Sequence, residues 1–398
     1  MAVEQGLLRE WEYDAERAER VTWLSRRGLL RAGGAAVGGA ALLPAIGTAP
    51  ASAVEGPIVK PLDPALLIPQ GTNAEMRWES MRGRGYLTPY DRFFVRNHTG
   101  TPRIDPATWR LRVHGSGVRR ELSLSYRDLL RLPKVTVTKA VECAGNARSF
   151  FDTQQGTPVP GTAWGLGAIG VATWTGVPLA EVLDRVGLTR AALDVMPVGL
   201  DEQAVRRPVP VEKALADTLL VTGMNGRRLP PDHGFPVRLL VPGWIGVANV
   251  KWVGSIEVSE TPLQSPWNTT SYRLFGPDHP DSPLLTTQVV KSALELPFPA
   301  ALRPGPQWLT GRSWSGEGRI TRVEVSVDRG PWRPAVLDRL NLPQAWRRWS
   351  FPWNARTGRH TIRVRARDDR GHVQPDTVPF NEQGYLFGAV VDHPVTVG

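Results

Sequence analysis

The 398-residue chain has one cysteine, Cys143. That excludes an intrachain disulfide, and it leaves too few thiols for a cysteine-held iron–sulfur cluster or a C-x-x-C-H haem attachment. Lysine is scarce too: 6 residues against 42 arginines. The excess of arginine reads first as a compositional bias. No stretch supplies the ~20 consecutive apolar residues of a bilayer-spanning helix. No internal repeat appears after residue 54, and the basic residues are spread along the chain without a recognisable nucleic-acid module. The net charge of +10 therefore points to a small anionic substrate or an acidic protein partner, with no nucleic acid.

What is plentiful is glycine (40) and proline (36), which punctuate secondary structure and favour a strand-rich, loop-rich fold. The length suggests two domains, and 41% hydrophobic with 22% charged residues is ordinary for a soluble protein. At the front, Arg26 and Arg27 precede a small-residue apolar run over residues 32–46, and Ala51-Ser52-Ala53 follows. This reads as a twin-arginine export signal over residues 1–53, implying a periplasmic or other extracytoplasmic protein; an uncut membrane anchor is the alternative. The signal is charge-neutral, with six Arg and six Asp or Glu, so its removal leaves the net charge unchanged.

The remainder divides near residue 292. Over residues 54–291 the pattern is mixed. Val135, Val137 and Val141 mark a strand leading to Cys143, Ser125 and Asp128 form a helix-capping pair, and residues 178–186 place Leu179, Val182, Leu183 and Val186 on one helical face ended by Gly187. Residues 237–241 read as a buried strand broken by Pro242-Gly243. Pro297, Pro299, Pro304 and Pro306 suggest that residues 292–306 are a linker or extended connector. Beyond them Val323, Val325 and Val327, then Ile362, Val364 and Ala366, alternate with polar residues. The fold class is α+β: a mixed α/β domain over 54–291, then an immunoglobulin-like β-sandwich over 292–398.

Cys143 stands where a strand runs into a Gly-Asn turn, within Val141-Glu142-Cys143-Ala144-Gly145-Asn146-Ala147-Arg148. Strand ends gather functional side chains, and a nearby arginine favours the thiolate. An inert buried cysteine fits this pattern equally, and a Cys–His hydrolase is a rival without a designated histidine. His98 and His233 can be turn residues, whereas Arg238 inside an apolar strand needs a partner.

The longer strings resemble the sulfite oxidase family of molybdenum enzymes. The Cys-Ala-Gly-Asn run at 143–146, Phe93-Phe94-Val95-Arg96-Asn97-His98, and the stretch from Asp232-His233-Gly234-Phe235 through Arg238 to Val250-Lys251-Trp252 match in order and spacing. The resemblance implies a molybdenum–molybdopterin cofactor in the 54–291 domain, with Cys143 as the protein thiolate on the metal. It further implies cofactor contacts from Arg96, Asn97, His98, Asp201, His233, Arg238 and Lys251, and from the backbone of Phe94, Val95, Asn249 and Val250. Tyr272, Arg96 and Arg148 are then the catalytic side chains facing an anionic substrate. Two departures matter: Ala147 replaces the first of two arginines, and Gln383 takes the place of another from the second domain. The implied reaction is oxidation of sulfite or a related sulfur oxyanion by oxo transfer. Electrons would leave to an external acceptor such as a cytochrome, from a homodimer joined through its sandwich domains. Reverse transfer from a sulfoxide and a metal-free binding protein are the alternatives.

Overall fold

The structure is a computed structural model that describes residues 57–398, so the expected export segment lies outside the described residues. Two five-stranded sheets form the first body. One runs Arg227–Arg228, Leu219–Met224, Ile169–Pro178, Val135–Glu142, with Arg238–Leu240 also paired to Leu219–Met224. The other runs Leu122–Ser125, Arg110–His114, Val253–Ser259, Asp194–Gly199, Val209–Pro210. In this second sheet Val253–Ser259 lies parallel to Arg110–His114 and antiparallel to Asp194–Gly199, so the chain crosses over between them.

A single apolar cluster joins strands of both sheets: Leu111, Val113, Val177, Leu220, Leu239, Val253 and Ile256. The helix Leu179–Val186 closes it. Leu179, Val182, Leu183 and Val186 all face inward, Pro178 precedes the first turn, and Gly187 takes φ 68° just past the end. A shorter helix, Tyr126–Arg131, starts as its capping pair dictates: the Asp128 N–H donates to Ser125 Oγ at 3.2 Å, and the Ser125 N–H to the Asp128 carboxylate at 3.1 Å.

The second body is a two-sheet sandwich. Lys291–Leu294, Gly305–Trp314, Trp346–Ala355 and Val336–Leu337 make one sheet; Ala300–Leu302, Asp392–Val397, Gly358–Asp368, Ile320–Val327 and Arg333–Pro334 make the other. Ile362, Val364 and Ala366 meet Val323, Val325, Trp349 and Phe351 between the sheets, as the alternation requires. The proline-rich segment at 292–306 is no linker. Its residues belong to three sandwich strands, Lys291–Leu294 pairing with Gly305–Trp314 and Ala300–Leu302 running parallel to Asp392–Val397. Its prolines are compatible with this because Pro297, Pro299 and Pro304 fall between strands, and Pro306 near the start of one.

The joint between the bodies lies directly behind Cys143. The buried Glu142 carboxylate accepts from the Lys291 ammonium (2.8 Å) and the Trp314 indole N–H (2.8 Å), both on sandwich strands, and from the Asn146 amide (2.9 Å). Gln288 donates to the Glu142 carbonyl at 2.6 Å, and Lys291 also reaches the Asn146 carbonyl at 3.0 Å.

Candidate active site

Cys143 is the first residue after the strand Val135–Glu142. Its own N–H donates to the Ala168 carbonyl (2.9 Å), and its carbonyl accepts from the Asn146 N–H (3.0 Å), closing a tight turn. The Asn146 side chain braces that turn on both sides, donating to Glu142 and accepting from the Ala168 N–H at 2.9 Å. Gly145 lets the Arg148 guanidinium pack close against the turn: a Cβ on it would stand 2.7 Å away and push that group aside.

The thiol-bearing residue borders a cavity. Phe94, Arg96, Asn97, His98, Asp201, His233, Arg238, Asn249, Val250, Lys251 and Tyr272 line it together with Cys143, bringing five separate stretches of chain to one place. Two expected residues do not line it. The N–H and C=O of Val95 pair with Ala74 at 2.8 and 2.9 Å, so its backbone serves the wall's own structure. Arg148 is buried in the joint, donating to the carbonyls of Gly384 (3.2 Å) and Thr162 (3.3 Å), with its guanidinium 5.2 Å from the Tyr385 ring centroid.

Most cavity residues come from turns rather than strands, and each turn is held by a buried polar hub. The Asp232 carboxylate accepts from the N–H groups of Val59 and Lys60 (both 2.8 Å) and from the Thr101 hydroxyl (2.7 Å). It thereby fixes the short helix Pro231–His233 against the 93–98 segment. Lys60 completes the tie by donating to the carbonyls of Tyr90 (3.0 Å) and Phe93. Gly234, at φ 107°, lets Arg238 and Lys251 pack side by side; a Cβ there would meet Arg238 at 2.8 Å and Lys251 at 3.2 Å. The Asn249 side chain accepts from the Val241 N–H (2.8 Å) and so shapes the loop leading to Lys251.

The electrostatics of this wall are one-sided. Arg238 is buried against the Trp174 ring and donates to the carbonyls of His233 (3.2 Å) and Asn249 (3.1 Å). Burial alone pulls its pKa to about 9. Lys251 donates to Asn97 Oδ1 and the Asp232 carbonyl (2.9 Å). Burial holds its ammonium far below the usual lysine range, and Arg238 adds to the depression. The same causes, burial first and then Lys60, Lys251 and Arg238, push His233 well below its ordinary value. Its ring is therefore neutral at pH 7. Its Nε2 is buried and has no hydrogen-bond partner among the described residues.

These features fit a molybdopterin. Two adjacent basic side chains, Arg238 buried and Lys251 half-buried, suit a phosphate, and the unmatched His233 Nε2 suits a polar ring edge. No group of three or more His, Cys, Asp or Glu among the described residues could hold a metal ion unaided. A metal beside Cys143 would therefore take most of its ligands from a cofactor, with the thiolate as one soft donor. Sequence reading missed Phe93, Val141, Val205, Asp232, Gly246, Val247 and Trp252 in the lining. Asp232 and Trp252 stood inside a quoted motif; Lys60, which braces the wall, carried no local signal at all.

Tyr272 lies beyond the short helix Pro266–Thr269, its ring stacked on Tyr385 at 5.1 Å with 13° between planes. Gln383 is buried close by in sequence; its Nε2 donates to the Thr270 carbonyl (2.8 Å), and its Oε1 has no hydrogen-bond partner among the described residues.

Known proteins share this arrangement. A family model described as the oxidoreductase molybdopterin binding domain matches residues 98–267, and one described as the Mo-co oxidoreductase dimerisation domain matches residues 296–390. Sulfite oxidase of Gallus gallus is 39% identical over 345 residues, covering 80% of this chain and 74% of that protein. Mitochondrial sulfite oxidase of Homo sapiens is 37% identical over 331 residues, covering 76% of this chain and 60% of that longer protein. The sulfane dehydrogenase SoxCD from Paracoccus pantotrophus superposes with a TM-score of 0.73 at 29% identity, over 83% of this chain and 88% of the matched one. In sequence and in the order of its two matched domains, the chain belongs to the sulfite oxidase family of molybdopterin-dependent oxidoreductases.

Proposed function

We propose that this protein oxidises sulfite or a related sulfur oxyanion by oxo transfer and passes the electrons to a separate acceptor. The observation that carries the reading is the convergence of Cys143, Arg96, Arg238, Lys251 and Tyr272 on one cavity. Bound there, the cofactor would supply the two-electron oxo-transfer chemistry. Arg238 and Lys251 would hold its phosphate, while His233, Asn97 and Asp201 would meet its polar edges. Arg96 and Tyr272 would orient and neutralise the substrate. Phe93, Phe94, Val247 and Trp252 line the cavity with apolar surface, and a low-dielectric wall strengthens each charge–charge contact beside it.

The sulfite oxidases and the sulfane dehydrogenase among its relatives support sulfur-centred oxidation. The single cysteine, which leaves no cysteine-held iron–sulfur relay in this sequence, supports electron exit to an external carrier such as a cytochrome. The dimerisation-domain match supports a homodimer, and the paired arginines support extracytoplasmic work. One observation favours a second reading, oxygen transfer from a sulfoxide. At Ala147 and Gln383 the chain lacks two positive charges that the resemblance leads one to expect, and Gln383 buries an amide oxygen there instead.

Acceptor-coupled assays of molybdenum-loaded enzyme on sulfite and on methionine sulfoxide decide between the two. Turnover of sulfite supports the first reading. Turnover of the sulfoxide alone moves the assignment to the second, and absence of molybdenum from fully matured protein overturns both.

A further inference from the structure

Arg207 lies two residues past Val205 of the cavity wall and just before the strand Val209–Pro210. It is fully buried, yet it pairs with no carboxylate among the described residues. Its guanidinium donates instead to two main-chain carbonyls, those of Trp267 and Leu285, the latter at 2.6 Å. These residues bracket Tyr272. Trp267 belongs to the helix preceding it, and the Leu285 N–H donates to the Tyr272 carbonyl at 2.9 Å.

Tyr272 needs such bracing. Its φ of 58° lies in the left-handed region, where a bulky side chain persists only when its surroundings over-determine the backbone. The same clip steadies Trp267, whose indole N–H reaches His98 Nε2 at 3.4 Å on the cofactor side of the cavity. Burial lowers the Arg207 pKa to about 10, opposed by Tyr272 and Tyr385, so it remains cationic at pH 7. A residue needed only to fill this volume would be apolar, because burying an arginine without a counter-ion is costly.

We propose that Arg207 is the positioning residue for Tyr272: its fork ties both arms of the loop that carries the phenol, and its uncompensated charge stands behind the tyrosine pair. This rests on the reading above, in which that end of the cavity receives an anionic substrate.

The test uses the full-length, molybdenum-loaded enzyme labelled with 3-fluorotyrosine. The chain has six tyrosines, so Tyr272→Phe identifies the Tyr272 fluorine resonance. In Arg207→Met that resonance shifts and broadens as the loop loses both ties; Arg207→Lys, which keeps the charge without the fork, shifts it as well. In kinetics, Arg207→Met lowers kcat/KM for sulfite roughly 10-fold or more through KM, and Arg207→Lys restores most of the KM. On a Tyr272→Phe background the same Met substitution costs no more than about 2-fold, because its effect passes through the missing phenol. An unchanged Tyr272 resonance in both Arg207 variants overturns the proposal, as do equal kinetic losses on the two backgrounds. If the wild type turns over no sulfur oxyanion, the functional reading fails, while the fluorine spectrum still decides the role of Arg207.

Discussion

Arg238, Lys251 and His233 occupy one wall; Arg238 and His233 are buried and Lys251 is half-buried. His233 shows how this shapes pH behaviour. Its folded pKa lies well below 6.5, so between those two values the unfolded chain binds the extra proton. Stability contributed by the neutral ring is then complete above about pH 6.5 and is lost as the pH falls below it. We predict that His233→Phe, which keeps a ring against Phe93 and Tyr90, flattens the acid limb of a Tm-against-pH curve relative to wild type. An acid limb of identical slope in both proteins would contradict the buried neutral histidine. At this scale the sequence was informative wherever residues sit inside a continuous motif. It was silent on Lys60 and Arg207, whose partners lie 30 or more positions away and depend on the finished fold.

Among elements, the helix Leu179–Val186 was readable because four apolar residues at helical spacing end at a glycine, and all four are buried. Leu183 contacts the cluster that joins the two sheets of the first body. Leu183→Ala is expected to cost about 2–5 kcal/mol in urea unfolding, through lost burial and the cavity left behind. A loss below about 1 kcal/mol would show that the helix packs less closely than the structure indicates. The segment at 292–306 was misread for an equally physical reason. Its prolines suit the gaps between short sandwich strands as well as they suit a linker, and only pairing with Gly305–Trp314 and Asp392–Val397 distinguishes the two. Alternation fared better in the longer strands, where the inward residues of Gly358–Asp368 are small or branched and its arginines take the other face.

For the whole molecule, the joint behind Cys143 makes the sandwich part of the site's foundation. Lys291 and Glu142 are both almost inaccessible to water, so removing one leaves the other charged and buried. Lys291→Met should therefore destabilise the protein by about 3–5 kcal/mol, while the double variant Glu142→Gln, Lys291→Met recovers much of that loss. Simple additivity of the two single substitutions in thermal melts would argue against the pair. Assembly is the other property at this scale. Trp308 and Val336 are 59% and 61% exposed and lie on the outer face of one sandwich sheet. With the dimerisation-domain match, this outward-facing apolar pair is the surface we propose for self-association. Trp308→Asp is expected to weaken the proposed homodimer in sedimentation, with molybdenum content unchanged; equal association of the two proteins would place the interface elsewhere.

Every scale converges on one sulfur atom. The turn holding Cys143, the sheets that bring the cationic wall beside it and the sandwich that locks Glu142 behind it all fit the proposed thiolate on molybdenum. X-ray absorption at the molybdenum edge tests this directly, with pterin content measured in the same samples. The account predicts that Cys143→Ser has one sulfur neighbour fewer around molybdenum than wild type, at equal pterin content. An identical sulfur count in the two proteins would contradict it.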